Sequence, residues 1–204
     1  MPFNCRLEEP FLPRKLTIAK ITRPRLSGAI ARERFSRLLD DLRHLPVTWV
    51  AAPAGSGKTT AIAAYLDTRE LPCLWYQVDG GDGDLAGFFY YLGLAAKKAA
   101  PRHRSPLPLL TPEYLLGIPV FTRRYFEKLF RRLPTGAVLV FDDYQDVPDD
   151  SGFHEIMAQA LEVVPEGVRV IVLSRSEPPA QLARLRMNNR LARLGWEEVR
   201  FNRD

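Results

Sequence analysis

The run Ala52-Pro53-Ala54-Gly55-Ser56-Gly57-Lys58-Thr59 constrains this chain more than any other stretch. Before it, Val47-Thr48-Trp49-Val50-Ala51-Ala52 reads as a short buried strand set off by Pro46. After it, a helical pattern runs over about 58–67. Gly55 and Gly57 allow a tight turn in which successive backbone N–H groups point inward. The helix that starts at Lys58 brings the positive end of its dipole to the same place. A concavity of this kind takes an anion, and the motif is a phosphate loop. Lys58 is then assigned to the outer phosphates of ATP, and the Thr59 hydroxyl to a Mg²⁺ ion. Ala52 stands where such loops usually carry their first glycine. That position is the strand exit, where a glycine is least needed for the inward turn.

The rest of the chain repeats the alternation of strand and helix. Residues 1–28 are rich in proline and basic side chains and read as an irregular arm. A helix is expected over about 32–43, with Phe35, Leu38, Leu39 and Leu42 on one face. Further strands are expected over 74–78, 137–141 and 168–173, with a last short one over 198–201. Helices are expected over about 84–98 with Asp84 as N-cap, 120–132, 153–163 and 180–187. Residues 79–83 read as a turn, and the prolines at 101, 106, 108 and 112 mark a loop. Strands alternating with helices imply a parallel sheet covered on both faces. Trp49, Trp75 and Phe141 are core candidates.

Two other strand ends carry chemistry. Val138-Leu139-Val140-Phe141 runs into Asp142-Asp143, and ligands of open α/β sheets bind at the carboxyl ends of strands. Asp142 is expected to hold Mg²⁺ through a water, and Asp143 to orient or deprotonate an attacking water. Ser174-Arg175 ends the fourth strand at the same edge, where an arginine can read a γ-phosphate. The alternative for Arg175 is an ion pair with Glu177 or a solvated side chain. Before the first strand, Pro24-Arg25 and Ile30-Ala31-Arg32-Glu33-Arg34 either fold over adenine and ribose or form a solvated basic helix start. Asp79, Asp82 and Asp84 suit a turn and a helix cap better than a metal site. His44, His103 and His154 have no partners at catalytic or zinc spacing.

Composition narrows the class further. With 46% apolar residues among 204, one sizeable α/β domain can bury a core. A net charge of +5 comes from scattered arginines, which is compatible with nucleotide or nucleic acid and with an ordinary solvated surface. The two cysteines, Cys5 and Cys73, have no metal or redox spacing and fit a reducing compartment. No apolar run approaches membrane-spanning length, so no membrane partner and a cytoplasmic location are expected.

Taken together, these residues resemble the STAND class of signal-transduction ATPases, and within it the ATPase domain of the maltose-activator type of large LuxR-family regulators. The resemblance runs from about 20 to 201. It is carried by Ile21-Thr22-Arg23-Pro24-Arg25-Leu26, Arg32-Glu33-Arg34, Pro53 to Thr60, Leu74-Trp75-Tyr76-Gln77-Val78-Asp79, Phe141-Asp142-Asp143-Tyr144 and Leu173-Ser174-Arg175 with Pro178. It implies a three-layer, AAA-like P-loop NTPase fold of the additional-strand type, a mostly parallel five-stranded sheet flanked by helices. It places residues 54–60 (Ala54, Gly55, Ser56, Gly57, Lys58, Thr59, Thr60) against nucleotide, together with Ala31 and Arg32. It gives Arg175 the sensing of the γ-phosphate and implies a switch in which ADP favours a closed state and ATP favours self-association. Winged-helix, sensor-repeat and DNA-binding domains normally follow in such proteins. The chain is therefore expected to be an arm (1–28) and an ATPase domain (29–204), a piece of a longer regulator that meets DNA only through those further domains. Turnover is expected to be slow without them.

Two rivals remain at this stage. A small-molecule or nucleotide kinase also uses a phosphate loop, but usually near its N-terminus, whereas about 45 residues precede the strand here. A DNA-associated initiator or loader module is permitted by the positive charge and by the pairs Arg123-Arg124 and Arg131-Arg132.

Overall fold

The computed structural model describes residues 18–25, 32–103 and 105–200. Ala31 and most of the arm lie outside them, as does Cys5. Five strands, β1 (Val47–Ala51), β2 (Cys73–Gln77), β3 (Val138–Asp142), β4 (Arg169–Ser174) and β5 (Leu191–Leu194), form one sheet in the order β2-β3-β4-β1-β5. Every pairing is parallel. The sheet is therefore wholly parallel, and β4 separates the strand before the glycine loop from the strand with the paired acids.

Side chains alternate across the sheet with period two, and each face has its own core. Trp49, Leu74, Tyr76, Leu139, Phe141, Val170 and Val172 face one way. They pack on helices α3 (Leu85–Ala99), α4 (Ile118–Phe130), α5 (Phe153–Glu162) and α6 (Ala183–Met187). Val50, Trp75, Val138, Val140, Ile171 and Leu173 face the other way. That face is covered by α1 (Glu33–Asp41), α2 (Lys58–Thr68) and the single turn α7 (Trp196–Val199). The result is the helix–sheet–helix sandwich expected from the alternation of elements.

Local chemistry sets the element ends. The Asp84 carboxylate accepts from the N–H groups of Ala86 and Gly87 and starts α3, as the sequence predicts. The turn at 79–83 tightens into a 3₁₀ helix over Gly80–Gly83, where Asp79 and Asp82 form a capping box. In α1, Phe35 and Leu39 are buried and Leu38 is half-buried, as is Leu42 just past its end. Trp49, Trp75 and Phe141 all lie in the core.

One expectation is overturned. The last strand is not 198–201: the sheet ends with Leu191–Leu194, and Trp196–Val199 is helical. Gly195 N–H donates to the Glu198 carboxylate at 2.7 Å and caps that turn, which withdraws Glu198 and Val199 from strand geometry. The segment Leu191-Ala192-Arg193-Leu194 lacks β-branched residues, and its place beside β1 supplies what its propensity does not.

Candidate functional site

The glycine loop leaves β1 at Ala52, which is buried and continues the ladder by donating to Ser174 O at 3.1 Å. Ala52 is not among the positive-φ residues, so the usual first glycine is dispensable there. Gly55 and Gly57 do need their freedom, with φ of 72° and 77°. Gly57 is the residue from which α2 springs, and its carbonyl accepts the N–H of Ala61 at 2.8 Å. Ala54 and Gly55 form the exposed outer turn, Ser56 is buried, and Thr60 is exposed. Lys58 is buried under the loop, its ammonium donating to Ala52 O at 2.6 Å, Pro53 O at 3.0 Å and Ser56 Oγ at 3.4 Å. Burial and then the Arg175 charge hold this ammonium below its usual pKa, against the pull of Asp142 and Asp143.

The acidic strand end meets the loop. Thr59 Oγ1 donates to Asp142 Oδ1 at 3.1 Å, and the Asp143 N–H donates to the same oxygen at 3.0 Å. Asp142 is 3% exposed. Burial, followed by repulsion from Asp143, pushes its pKa up to about 6. Asp143 follows in the left-handed region, φ 58° and ψ 37°, a conformation that aspartate tolerates better than most residues. Its carboxylate receives Gln77 Nε2 on Oδ2 and Gln145 Nε2 on Oδ1, each at 3.2 Å.

Arg175 begins the turn after β4 and is exposed. Of its two alternatives, the ion pair is not formed, because Glu177 pairs with Arg193 at 2.5 Å, and the side chain is solvent-exposed. The turn itself is firmly tied. Arg175 N–H donates to Gln145 Oε1 at 3.0 Å, Ser176 N–H to Ser174 Oγ at 3.1 Å, and the Trp49 indole N–H to Ser176 O at 3.0 Å. Lys58, Thr59, Asp142, Asp143 and Arg175 thus gather at one edge of the sheet.

Arg32 approaches the loop from the other side. Its guanidinium donates to Ser56 O at 3.1 Å and to Val199 O, and a Cβ on Gly57 would stand 2.5 Å from its Nη2. The basic start of α1 is therefore docked on the phosphate loop and on α7. Arg34 reinforces the docking by donating to Glu197 O at 2.6 Å. The arm's Lys20 instead forms an ion pair with buried Asp82 at 2.9 Å, which explains the aspartate cluster as structural. His154 is likewise structural, buried with its two ring nitrogens on Tyr144 Oη (2.9 Å) and Pro148 O (3.0 Å).

Two residues were not singled out for the site by sequence reasoning. Gln77 ends β2 directly across from Asp142 in the register, a position that strand-end logic can find. Gln145 lies in a single 3₁₀ turn, Tyr144–Asp146, and gives no periodic signal.

The donor set fits a nucleotide polyphosphate with a hard cation. The loop has two left-handed glycines, and a Cβ at Gly55 would meet nothing within 4 Å, so its outer face is open to a ligand. A hydroxyl and a carboxylate oxygen converge beside it, the donor type that Mg²⁺ takes. Among the described residues no cluster of three or more His, Cys, Asp or Glu is placed to hold a metal. No helix among them is long and apolar enough to cross a membrane.

No family model matches the chain. It is 32% identical over 189 residues to the HTH-type transcriptional regulator MalT of Yersinia enterocolitica, and equally to that of Yersinia pestis. The match covers 90% of this chain and 20% of the relative, so the chain spans about a fifth of the length of the curated relatives it matches. Among solved structures, Drosophila ORC bound to AT-rich DNA and Cdc6 is similar with a TM-score of 0.51 at 11% identity, over 81% of this chain and 53% of that one. At that identity the likeness is one of fold, and the fold is that of the AAA-like P-loop ATPases.

Proposed function

As a homologue of the STAND-class, MalT-like regulators over 90% of its own length, this chain is, we propose, an ATP-binding switch domain of a signal-responsive transcriptional regulator that hydrolyses its nucleotide slowly. The observation that carries the reading is the convergence of three strand tips. The Lys58 loop follows β1, Asp142-Asp143 ends β3, Arg175 follows β4, and these strands are neighbours in the sheet.

In this reading the residues 54–60 and Arg32 hold ATP or ADP, with Ala31 beside Arg32 on the same segment. Lys58 pairs with the outer phosphates, since a charged acceptor outcompetes the neutral carbonyls of Ala52 and Pro53. Thr59 and Asp142 hold Mg²⁺, Asp142 through a water, and the ion supplies neutralisation of phosphate charge. Asp143 directs a water and takes its proton. Arg175, exposed at the tip of β4, reads whether the γ-phosphate is present. Catalysis of this kind is mostly positioning and charge stabilisation.

The relatives are HTH-type transcriptional regulators, and the chain matches a fifth of their length. The reading assigns the nucleotide-responsive part to residues 29–204, an arm near the nucleotide to 1–28, and DNA contact to segments outside the matched fifth. The ATP form self-associates, and the protein works in the cytoplasm. The test is light scattering of the purified chain with ATP and with ADP, each with Mg²⁺, alongside phosphate release. A mass increase with ATP and not with ADP, with slow phosphate release, supports the switch. Identical behaviour with both nucleotides refutes it.

A further inference from the structure

We propose that Gln145 is a positioning residue that aims the Asp143 carboxylate and ties its direction to the turn carrying Arg175. The inference rests on the reading of Asp143 and Arg175 given above and deepens it.

The sheet explains why a side chain is needed here. Residue pairing between β3 and β4 runs from Val138↔Arg169 to Phe141↔Val172. Asp143 and Arg175 both lie past the end of that ladder, where no backbone pairing joins them. Gln145 does. Its Nε2 donates to Asp143 Oδ1 at 3.2 Å and to Asp146 Oδ1 at 2.9 Å, and its Oε1 accepts the Arg175 N–H at 3.0 Å. All three links use the amide in one sense. Rotating it by half a turn would set its oxygen against two carboxylates and its NH₂ against an N–H, so the orientation is determined by its partners.

Both ends of this bridge are otherwise constrained. Asp143 sits in the left-handed region, where its backbone has little freedom. The Arg175 turn is anchored by Trp49 through Ser176 and by Ser174. Gln145 is therefore the side-chain link between two anchored points. Loss of the bond to the Arg175 N–H frees the amide whose NH₂ holds Asp143. The second contact to Asp143, from Gln77, is exposed and comes from the other side. It cannot report on β4.

The experiment compares the full chain with Gln145→Ala and Gln145→Glu. Glutamate keeps an acceptor for the Arg175 N–H and loses the donor to Asp143, while alanine loses both. ATP affinity is measured by calorimetry, and cleavage by single turnover with labelled ATP and excess protein. Both variants are expected to bind ATP within about threefold of wild type and to cleave it about tenfold or more slowly. Such a separation of rate from affinity is not what a merely structural role produces. Wild-type cleavage rates in both variants overturn the inference alone, as does a rate loss matched by an equal loss of affinity. A wild-type chain that binds ATP and never cleaves it overturns the inference together with the role of Asp143. A wild-type chain that binds no nucleotide overturns the functional reading beneath it.

Discussion

Thr59 at the start of α2 touches Asp142 at the end of β3, hydroxyl to carboxylate at 3.1 Å across 83 residues of sequence. The two elements are not sheet neighbours, because β4 lies between β3 and the strand that feeds α2. The contact therefore crosses over a strand tip and joins the phosphate loop to the acidic edge. It also leaves a carboxylate deep in the protein, which has a measurable consequence.

Asp142 is predicted to weaken the fold at neutral pH. Its carboxyl is pushed from 3.8 up to about 6, chiefly by burial. The folded state thus binds its proton more tightly than the unfolded chain does. The corresponding stability is present below pH 4 and is lost as pH rises through about 6. In Asp142→Asn the loss should vanish, leaving the variant more stable at pH 7.5 by on the order of 1–3 kcal/mol and little different at pH 4. Urea unfolding in EDTA at the two pH values reads this directly, and a stability difference that does not depend on pH contradicts it.

Gly55 and Gly57 are predicted to respond differently to alanine. Both have positive φ, and alanine at either carries about 1 kcal/mol of backbone strain. A Cβ at Gly55 meets nothing within 4 Å, whereas at Gly57 it stands 2.5 Å from Arg32 Nη2 and displaces that guanidinium from Ser56 O. Gly57→Ala should therefore be the more destabilising of the two in thermal unfolding. In an Arg32→Ala background the two substitutions should cost the same, and a gap that persists there contradicts the role given to Arg32.

Asp143 joins a left-handed backbone to the proposed water-directing role. Asp143→Gly and Asp143→Ala both remove the carboxylate, and both should abolish ATP cleavage while retaining ATP binding. Glycine accommodates φ 58° freely and alanine does not, so the glycine variant should be the more stable by about 1 kcal/mol. Equal stabilities would show that the backbone at 143 relaxes on loss of the side chain.

Much of this was legible before the structure, and the exceptions have physical reasons. The strand–loop–helix at Val47–Thr68, the strand ending in Asp142 and the cap at Asp84 follow from local patterns and appear as expected. The fifth strand was misplaced because Leu191–Leu194 is held in the sheet by its pairing with β1, a tertiary effect that outweighs its weak β-propensity. Gln145 is not legible in the sequence because its importance comes from bridging Asp143 and Arg175, which the assembled sheet brings together. The sequence leaves Arg32 open between adenine contact and a solvated helix start. The structure adds a third element, its hold on Ser56 and Val199, which joins residues 167 apart and has no trace in spacing.

The claim on which everything else depends is that the loop around Lys58 holds nucleotide phosphates. Calorimetric titration of the purified chain with ATP and Mg²⁺, beside Lys58→Ala, tests it most directly. Saturable binding is expected for the wild type and at least about tenfold weaker binding for the variant, worth about 1.4 kcal/mol or more. Equal affinity in the two proteins, or no heat of binding in the wild type, would contradict it.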